Sequence, residues 1–315
     1  MSGRIKAGSV AIGGGAKLLI LLGAWLLAGM LFLNGHATFA QDDNDDDDEA
    51  ASAEVPQKET RDQKLAREFT DPLTTLPQIF VQDAYTPANY GTDAQTNRVI
   101  ARAIIPRVPR LSFLPVQLVR PSFFLVTVPK GKGSETRTEF GDMQLFDAFI
   151  LPWPPRSTGL TMGLGPTFTF PTATDKSAGQ GSWQVGPLFG AIYKGTPWLL
   201  AGWLVQNPVS FAYTSPERQR VSTLIFQPVL LVSVGGGWYV KSADASWAMN
   251  WQQHTSTVLP VSFGIGRVIL REGMPPLNLF VTGEWTAYRQ FAPVAPQTTV
   301  RFGMTMAFPD FRPWH

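Results

Sequence analysis

Ten residues near the C-terminus constrain the fold more than any other stretch: Thr299-Val300-Arg301-Phe302-Gly303-Met304-Thr305-Met306-Ala307-Phe308. Val300, Phe302, Met304, Met306 and Phe308 are large and apolar, and the residues between them are polar or small. A strict period of two places every large group on one face of a β-strand. About ten residues is also the length a tilted strand needs to cross a bilayer core. Taken alone, the run fits a half-buried strand of a soluble sandwich as well. What separates the two is whether the chain repeats the pattern, and how the repeats are joined.

From about Leu76 onward it does repeat. Strand-length runs are predicted at Gln78–Thr86, Thr96–Ile105, Val116–Val128, Thr138–Leu151, Thr158–Phe170, Ser182–Tyr193, Trp198–Gln206, Val221–Val234, Trp238–Asn250, Thr257–Leu270, Leu277–Tyr288 and Gln297–Phe308. No helical period interrupts them. Lys194-Gly195-Thr196-Pro197, Gly235-Gly236-Gly237 and Arg271 to Pro275 are tight turns built on Gly and Pro. Between them lie longer polar segments at Thr172–Gly181, Asn207–Arg220, Trp251–Ser256 and Gln290–Pro296. Membrane barrels alternate short turns at one end with longer loops at the other. A sandwich has no such requirement.

The faces follow the same logic. Leu160, Met162, Leu164, Phe168 and Phe170 alternate with Thr161, Gly163, Gly165, Thr167 and Thr169, so the face opposite the apolar one is polar or tiny, as in a barrel interior. Arg267 falls on the apolar face near a tight turn, where it can snorkel to an interface. Two runs break the alternation. Asp147 shares its parity with Met143, Leu145 and Phe149, which calls for a bulge or an inward Asp147, and the parity change near Ser242 to Asp244 calls for another bulge. Pro106, Pro109, Pro115, Pro121 and Pro129 leave the second and third strands least defined. Trp153, Trp183, Trp198, Trp238 and Trp251, with Tyr193, Tyr239 and Tyr288, gather at strand ends, the pattern of interfacial aromatic girdles.

The N-terminus carries an address. Arg4, Lys6 and Lys17 precede a nearly unbroken apolar run from Leu18 to Leu33, and Thr38-Phe39-Ala40 follows as a small-residue cleavage site. This reads as a signal peptide over 1–40, with a retained anchor as the alternative. Seven acidic residues between Asp42 and Glu49 form a self-repelling block, so 41–76 is expected to be mostly disordered. Gln57 to Phe69 could form a short polar helix. The barrel then spans 77–309, followed by a tail over 310–315. With no cysteine there is no disulfide framework and no thiolate metal site.

Several motifs resemble the bacterial MetA-pathway of phenol degradation family, some of whose members carry the label neuromedin U-like. They include Phe140-Gly141-Asp142-Met143-Gln144-Leu145-Phe146-Asp147, Gly163-Leu164-Gly165-Pro166 and Phe170-Pro171-Thr172-Ala173-Thr174. Gly179 to Pro187, Gln206 to Phe211, Gly237 to Val240, Leu277 to Val281 and Val300 to Gly303 extend the likeness over roughly Ile79 to Pro309. The resemblance implies an outer-membrane β-barrel that passes small molecules, aromatic or otherwise apolar. It brings no catalytic residues.

No constellation points to catalysis. His36, His254 and His315 are the three histidines, and no predicted strand carries one, so neither a Ser–His hydrolase nor a zinc site has its parts. Arg107, Arg110 and Arg120 form a basic, proline-punctuated stretch that reads as a solvated turn, and the exported address argues against nucleic acid as a partner. Gln144, Asp147, Thr161, Thr167, Gln227, Thr282, Glu284, Arg301 and Thr305 are the candidate pore-lining residues. One allowed hairpin register sets Glu284 opposite Arg301 in the lumen and Gly283 opposite Phe302 on the lipid side.

The fold expected is therefore all-β, an antiparallel up-and-down transmembrane barrel of about twelve strands with a narrow or partly plugged pore. Its expected partners are outer-membrane lipid, a small-molecule solute and the barrel-assembly machinery, with no cofactor. A non-conducting outer-membrane barrel and a secreted ligand-binding sandwich remain open as alternatives. Phe308 resembles a final-strand assembly signal, although Pro309 to His315 continue past it.

Overall fold

The computed structural model describes residues 59–311, apart from 93, 109–114, 130–135, 243, 253–254 and 293. The leader, the acidic block, all three histidines and the last four residues lie outside the described residues. Among the described residues there is one α-helix, α1 (Arg61–Thr70), and fifteen strands. The strands are β1 (Gln78–Tyr90), β2 (Thr96–Arg107), β3 (Val116–Pro129), β4 (Thr136–Phe140), β5 (Met143–Ile150), β6 (Leu160–Phe170), β7 (Ser182–Tyr193) and β8 (Leu199–Gln206). They continue as β9 (Val209–Tyr213), β10 (Thr223–Gly235), β11 (Trp238–Ser242), β12 (Trp247–Asn250), β13 (Ser256–Ile269), β14 (Leu277–Gln290) and β15 (Ala295–Ala307).

Three pairs of strands are single staves with a break. β4 and β5 both lie on β3, β8 and β9 both lie on β7, and β11 and β12 both bridge β10 to β13. Fifteen segments thus make twelve staves. Every pairing is antiparallel, and β1 on β15 closes the ring. Closure leaves no edge, which is the condition for a sheet to sit in lipid.

The end that carries α1, the start of β1 and the turns at Lys194, Gly235 and Arg271 is called the base, and the other end the mouth. Gly235, Gly236 and Gly237 all have positive φ, at 96°, 59° and 79°. Three such residues in succession require glycine. The connections depart from the expected alternation at both ends of the barrel. The base link from Leu151 to Gly159 is long and includes a 3₁₀ turn at Arg156–Thr158, whereas Gly91 to Gln95 at the mouth is short. The segment expected as a loop over Asn207–Arg220 is partly strand, because after a break at Asn207-Pro208 the chain rejoins β7 as β9. β2 and β3 run in constant register through Pro106 and Pro121.

The outer wall is apolar and open. Phe302 is 59% exposed, Phe263 57% and Ile79 52%, and Val81, Phe123, Leu164, Ile265, Leu279 and Met304 are exposed beside them. Phe189, Trp203, Phe226 and Trp247 form a chain of ring contacts across four adjacent staves, with centroids 5.3, 6.1 and 5.3 Å apart. A water-soluble protein does not present apolar surface of this extent around its girth. Trp153, Trp183, Trp198, Trp238 and Trp251 are exposed at strand ends, and Arg267 lies 5.1 Å from the Trp238 ring near the base.

Tyr239, expected in that girdle, instead points inward. It is 1% exposed, and its hydroxyl donates to Asn278 Oδ1 at 2.7 Å. Tyr239→Phe leaves the buried amide oxygen without its donor, so it should cost about 1–3 kcal/mol. A thermal unfolding midpoint equal to that of the unaltered protein would contradict this.

The N-terminal segment is described from Glu59 onward, where α1 falls on the stretch expected as a short polar helix; residues 41–58 lie outside the described residues. Thr60 and Gln63 form a reciprocal capping box at the start of α1. Leu65, Ala66 and Phe69 share one helix face and, with Leu73 beyond the helix, are buried against Leu118, Leu188, Ile192, Leu200, Leu204, Val229 and Leu231 from the wall. The helix therefore lies inside the base, and the interior there is apolar and large rather than polar and tiny. Leu73 seats on a cross-strand glycine pair, Gly163 and Gly190, where an added Cβ would come within 3.0 and 3.3 Å of its methyls.

Candidate functional site

Alternation fixes which side chains reach the lumen. On β14 and β15, Asn278, Phe280, Thr282 and Glu284 face inward, paired with Thr305, Gly303, Arg301 and Thr299. On β6, Thr161, Thr167 and Thr169 share the parity of Gly163, which meets Leu73. Gln144 lies on the inward face of β5 with Phe146 and Ala148, and Gln227 on that of β10 with Val229 and Leu231. Eight of the nine candidate residues thus face the lumen.

Asp147 does not. It pairs with Val119 on the outward face, between Leu145 and Phe149, and accepts from Gln117 Nε2 at 2.8 Å. A bulge does exist, but upstream: Ser122 opposes Gln144 while Leu125 opposes Phe140, which leaves an extra residue near Gly141-Asp142. The bulge puts Phe140 and Met143 on the same face, and Asp147 then follows Met143 outward. Hydrogen bonding to Gln117 near the base lets the carboxylate stay there.

The hairpin register also differs from the expected one. Glu284 opposes Thr299, and Arg301 opposes Thr282, a shift of two residues. Gly283 faces Val300, so Phe302 does not cover it. The ion pair still forms, along the diagonal: Arg301 Nη2 and Nε donate to Glu284 Oε2 at 2.7 and 3.1 Å. Long side chains reach across one diagonal step on a shared face.

Sequence reading missed the strongest charges in the lumen. Arg98 and Arg102 on β2 and Arg120 on β3 all point inward. Arg120, read as part of a solvated turn, is 8% exposed and lies 4.0 Å from the Phe146 ring centroid. Arg98 stands over Phe124 at 4.2 Å and Arg102 over Phe80 at 5.2 Å, with Arg102 Nε donating to Ser122 Oγ at 3.1 Å. Lys241 on β11 lies 3.3 Å from the Phe280 centroid and pairs with Asp244 at 2.7 Å. The period of two in Arg98-Val99-Ile100-Ala101-Arg102 was the available signal, since a cation every fourth residue marks one face.

Between this basic wall and α1 lies a cavity of about 50 Å³. Arg102, Arg120, Gln78, Phe80, Phe280 and Phe69 are among its lining residues. Below it α1 is anchored by charge. Arg67 Nη1 donates to the carbonyls of Lys194 and Thr196 at 2.7 and 2.8 Å. Lys194 Nζ in turn donates to Glu68 at 3.0 Å and to Asp71, whose side chain is fully buried, at 2.7 Å. Burial pushes the Glu68 carboxyl up, but the Lys194 ammonium and the Thr74 hydroxyl outweigh it and hold the group below the usual carboxylate range. For Asp71 burial prevails, so its carboxyl titrates above that range. Burial alone would lower Lys194; the two carboxylates outweigh it and raise the group above an ordinary lysine. No cluster of metal-ligating side chains occurs among the described residues.

With this geometry in hand, the likeness to solved structures is informative. The chain superposes on the COG4313 outer membrane channel from Pseudomonas putida F1 with a TM-score of 0.53 and 12% identity, over 76% of this chain and 98% of that one. The fold is an outer-membrane barrel fold. The NanC porin (TM-score 0.44, 9% identity, 73% of this chain and 98% of that one) and the CymD monoaromatic hydrocarbon channel (TM-score 0.42, 7% identity, 78% and 92%) match at scores that add nothing to the assignment. No family model matches the chain, and no curated protein matches it.

Proposed function

We propose that the chain is an outer-membrane channel for passive or weakly selective passage of small solutes, narrowed at its base by α1. The observation that carries this reading is the contrast between the two faces of one closed sheet. Phe302, Phe263 and Ile79 stand exposed on the outside, while Gln144, Thr167, Thr282, Glu284, Arg301 and Thr305 line the inside. Arg98, though inward, is exposed, so the lumen above the cavity is open to solvent. Export by a signal peptide cut near Ala40 supports the same location. Membership of the phenol-degradation family, on the motifs quoted above, would make aromatic compounds the solutes.

Planar-bilayer recording tests the reading. Folded, heat-modifiable protein should give discrete single-channel currents. A second reading, a barrel that does not conduct, is favoured by one observation: Phe69 and Leu73 fill the base. Silence from well-folded protein across repeated insertions would establish the second reading and remove the first.

A further inference from the structure

Three guanidiniums share one wall of the lumen, and the two carboxylates that line the cavity beside Arg102 and Arg120, Asp71 and Asp244, are each held by a lysine, Lys194 and Lys241. In the described residues Asp244 is engaged by Lys241 and Glu284 by Arg301, and neither pairs with Arg98, Arg102 or Arg120. Arg120 is buried and Arg102 half-buried, and burying cations is unfavourable unless something neutralises them. Part of the compensation is visible, since each guanidinium lies against a phenyl ring, Phe124, Phe80 or Phe146. A cation–π contact occupies the flat face of the group. The N–H donors lie in the plane, and they suit a planar oxyanion. Arg102 uses one of them on Ser122, and Arg120 Nε is shielded from solvent with no acceptor. Gln82 Nε2, inward on the adjacent β1 at 3% exposure, is likewise buried without a partner.

We propose that Arg98, Arg102 and Arg120 form a binding site for a small organic carboxylate, entered from the mouth and seated carboxylate-first above α1. The assignment rests on the channel reading for its route. The cavity beside Arg102 and Arg120, at about 50 Å³, has room for a carboxylate group and not for a phenyl ring. The ligand's body therefore stays in the solvent-open lumen beside Arg98. Along β2, Arg102 lies four positions beyond Arg98, or roughly 13 Å at strand rise. That spacing lets the outer cation capture an anion and the inner pair seat it. Phe80, Phe280 and Ile104 in the lining favour an organic acid over a fully hydrated inorganic anion.

Calorimetric titration of the folded full-length protein in a non-ionic detergent at low salt tests this, using benzoate, its neutral analogue benzyl alcohol, and inorganic phosphate as probes. Benzoate should bind at least tenfold more tightly than either of the others. The double substitution Arg102→Gln/Arg120→Gln should weaken benzoate at least tenfold, and Arg98→Gln about threefold. Equal affinity for benzyl alcohol, tighter binding of phosphate, or benzoate affinity unchanged in a heat-modifiable variant would overturn the proposal. Arg98→Gln decides the matter if the double variant does not fold, because Arg98 borders open lumen. The two readings fail separately. A protein that binds benzoate but passes no current loses the channel and keeps the site, whereas one that conducts with no preference for benzoate does the reverse.

Discussion

Lys194→Met should release α1 from the base while the barrel stays closed. The substitution keeps most of the aliphatic stem but leaves Asp71, whose side chain is fully buried, and Glu68 without their common cation. Removing one member of a buried ion pair costs about 3–5 kcal/mol, and the closed sheet at Lys194 does not depend on that ammonium. Trypsin should therefore cut at Arg61, Lys64 or Arg67 on the order of a hundredfold faster than in the unaltered protein. Migration in detergent gels without heating should be unchanged. Equal cleavage rates in the two proteins would mean that apolar contacts alone hold the helix. Docking should also depend on pH in a definite sense. The raised Lys194 contributes in full below the ordinary lysine pKa of about 10.4, and its contribution is lost as pH rises through its higher docked value. The lowered Glu68 contributes in full above about 4.3 and is lost as pH falls through its docked value. Asp71, raised by burial, binds its proton more tightly when docked, so acid favours docking there and opposes the Glu68 effect. Protease protection should accordingly fade above about pH 10.4 and change less in mild acid.

Leu73→Asp should open the channel further. Leu73 is 1% exposed and sits over Gly163 and Gly190 among the apolar side chains that fill the base, so a carboxylate there would be buried in apolar surroundings. An unpaired buried charge costs several kcal/mol, more than one helix face is expected to hold against. Undocked, α1 leaves the base unfilled, and single-channel conductance should rise several-fold. A conductance identical to that of the parent protein, from a variant whose helix has become protease-sensitive, would show that α1 does not set the bore.

The barrel was legible because its signal is redundant. Val300, Phe302, Met304 and Met306 announce one face, and the same period of two recurs in runs such as that from Leu160 to Phe170, so an error in one run does not propagate. Register has no such redundancy. Glu284 opposite Arg301 and Glu284 opposite Thr299 both keep charge inside and apolar groups outside, and only packing across the whole sheet chooses between them. Asp147 failed for a different reason: alternation with Met143, Leu145 and Phe149 already puts it outward, and only the partner strand shows that Gln117 donates to the carboxylate there. α1 was readable in part. Thr60-x-x-Gln63 is a capping box, and Leu65, Ala66, Phe69 and Leu73 lie on one side, yet the charged residues among them lower the average hydropathy. The luminal arginines were hidden by the prolines around them, which made Arg120 look like part of a turn when it lies inside a strand.

The position of α1 has a mechanical consequence. It leads into β1 through the short segment 71–77, and through Arg67 and Lys194 it is fastened to the turn between β7 and β8. In a ring of twelve staves that turn falls half-way round from β1. The helix is thus a spoke across the ring, attached by the chain at one side and by charge at the other. A hollow cylinder of this width resists flattening only through the stiffness of its wall. With the spoke in place the base keeps a round section, and whatever detaches the helix also frees the wall to become oval.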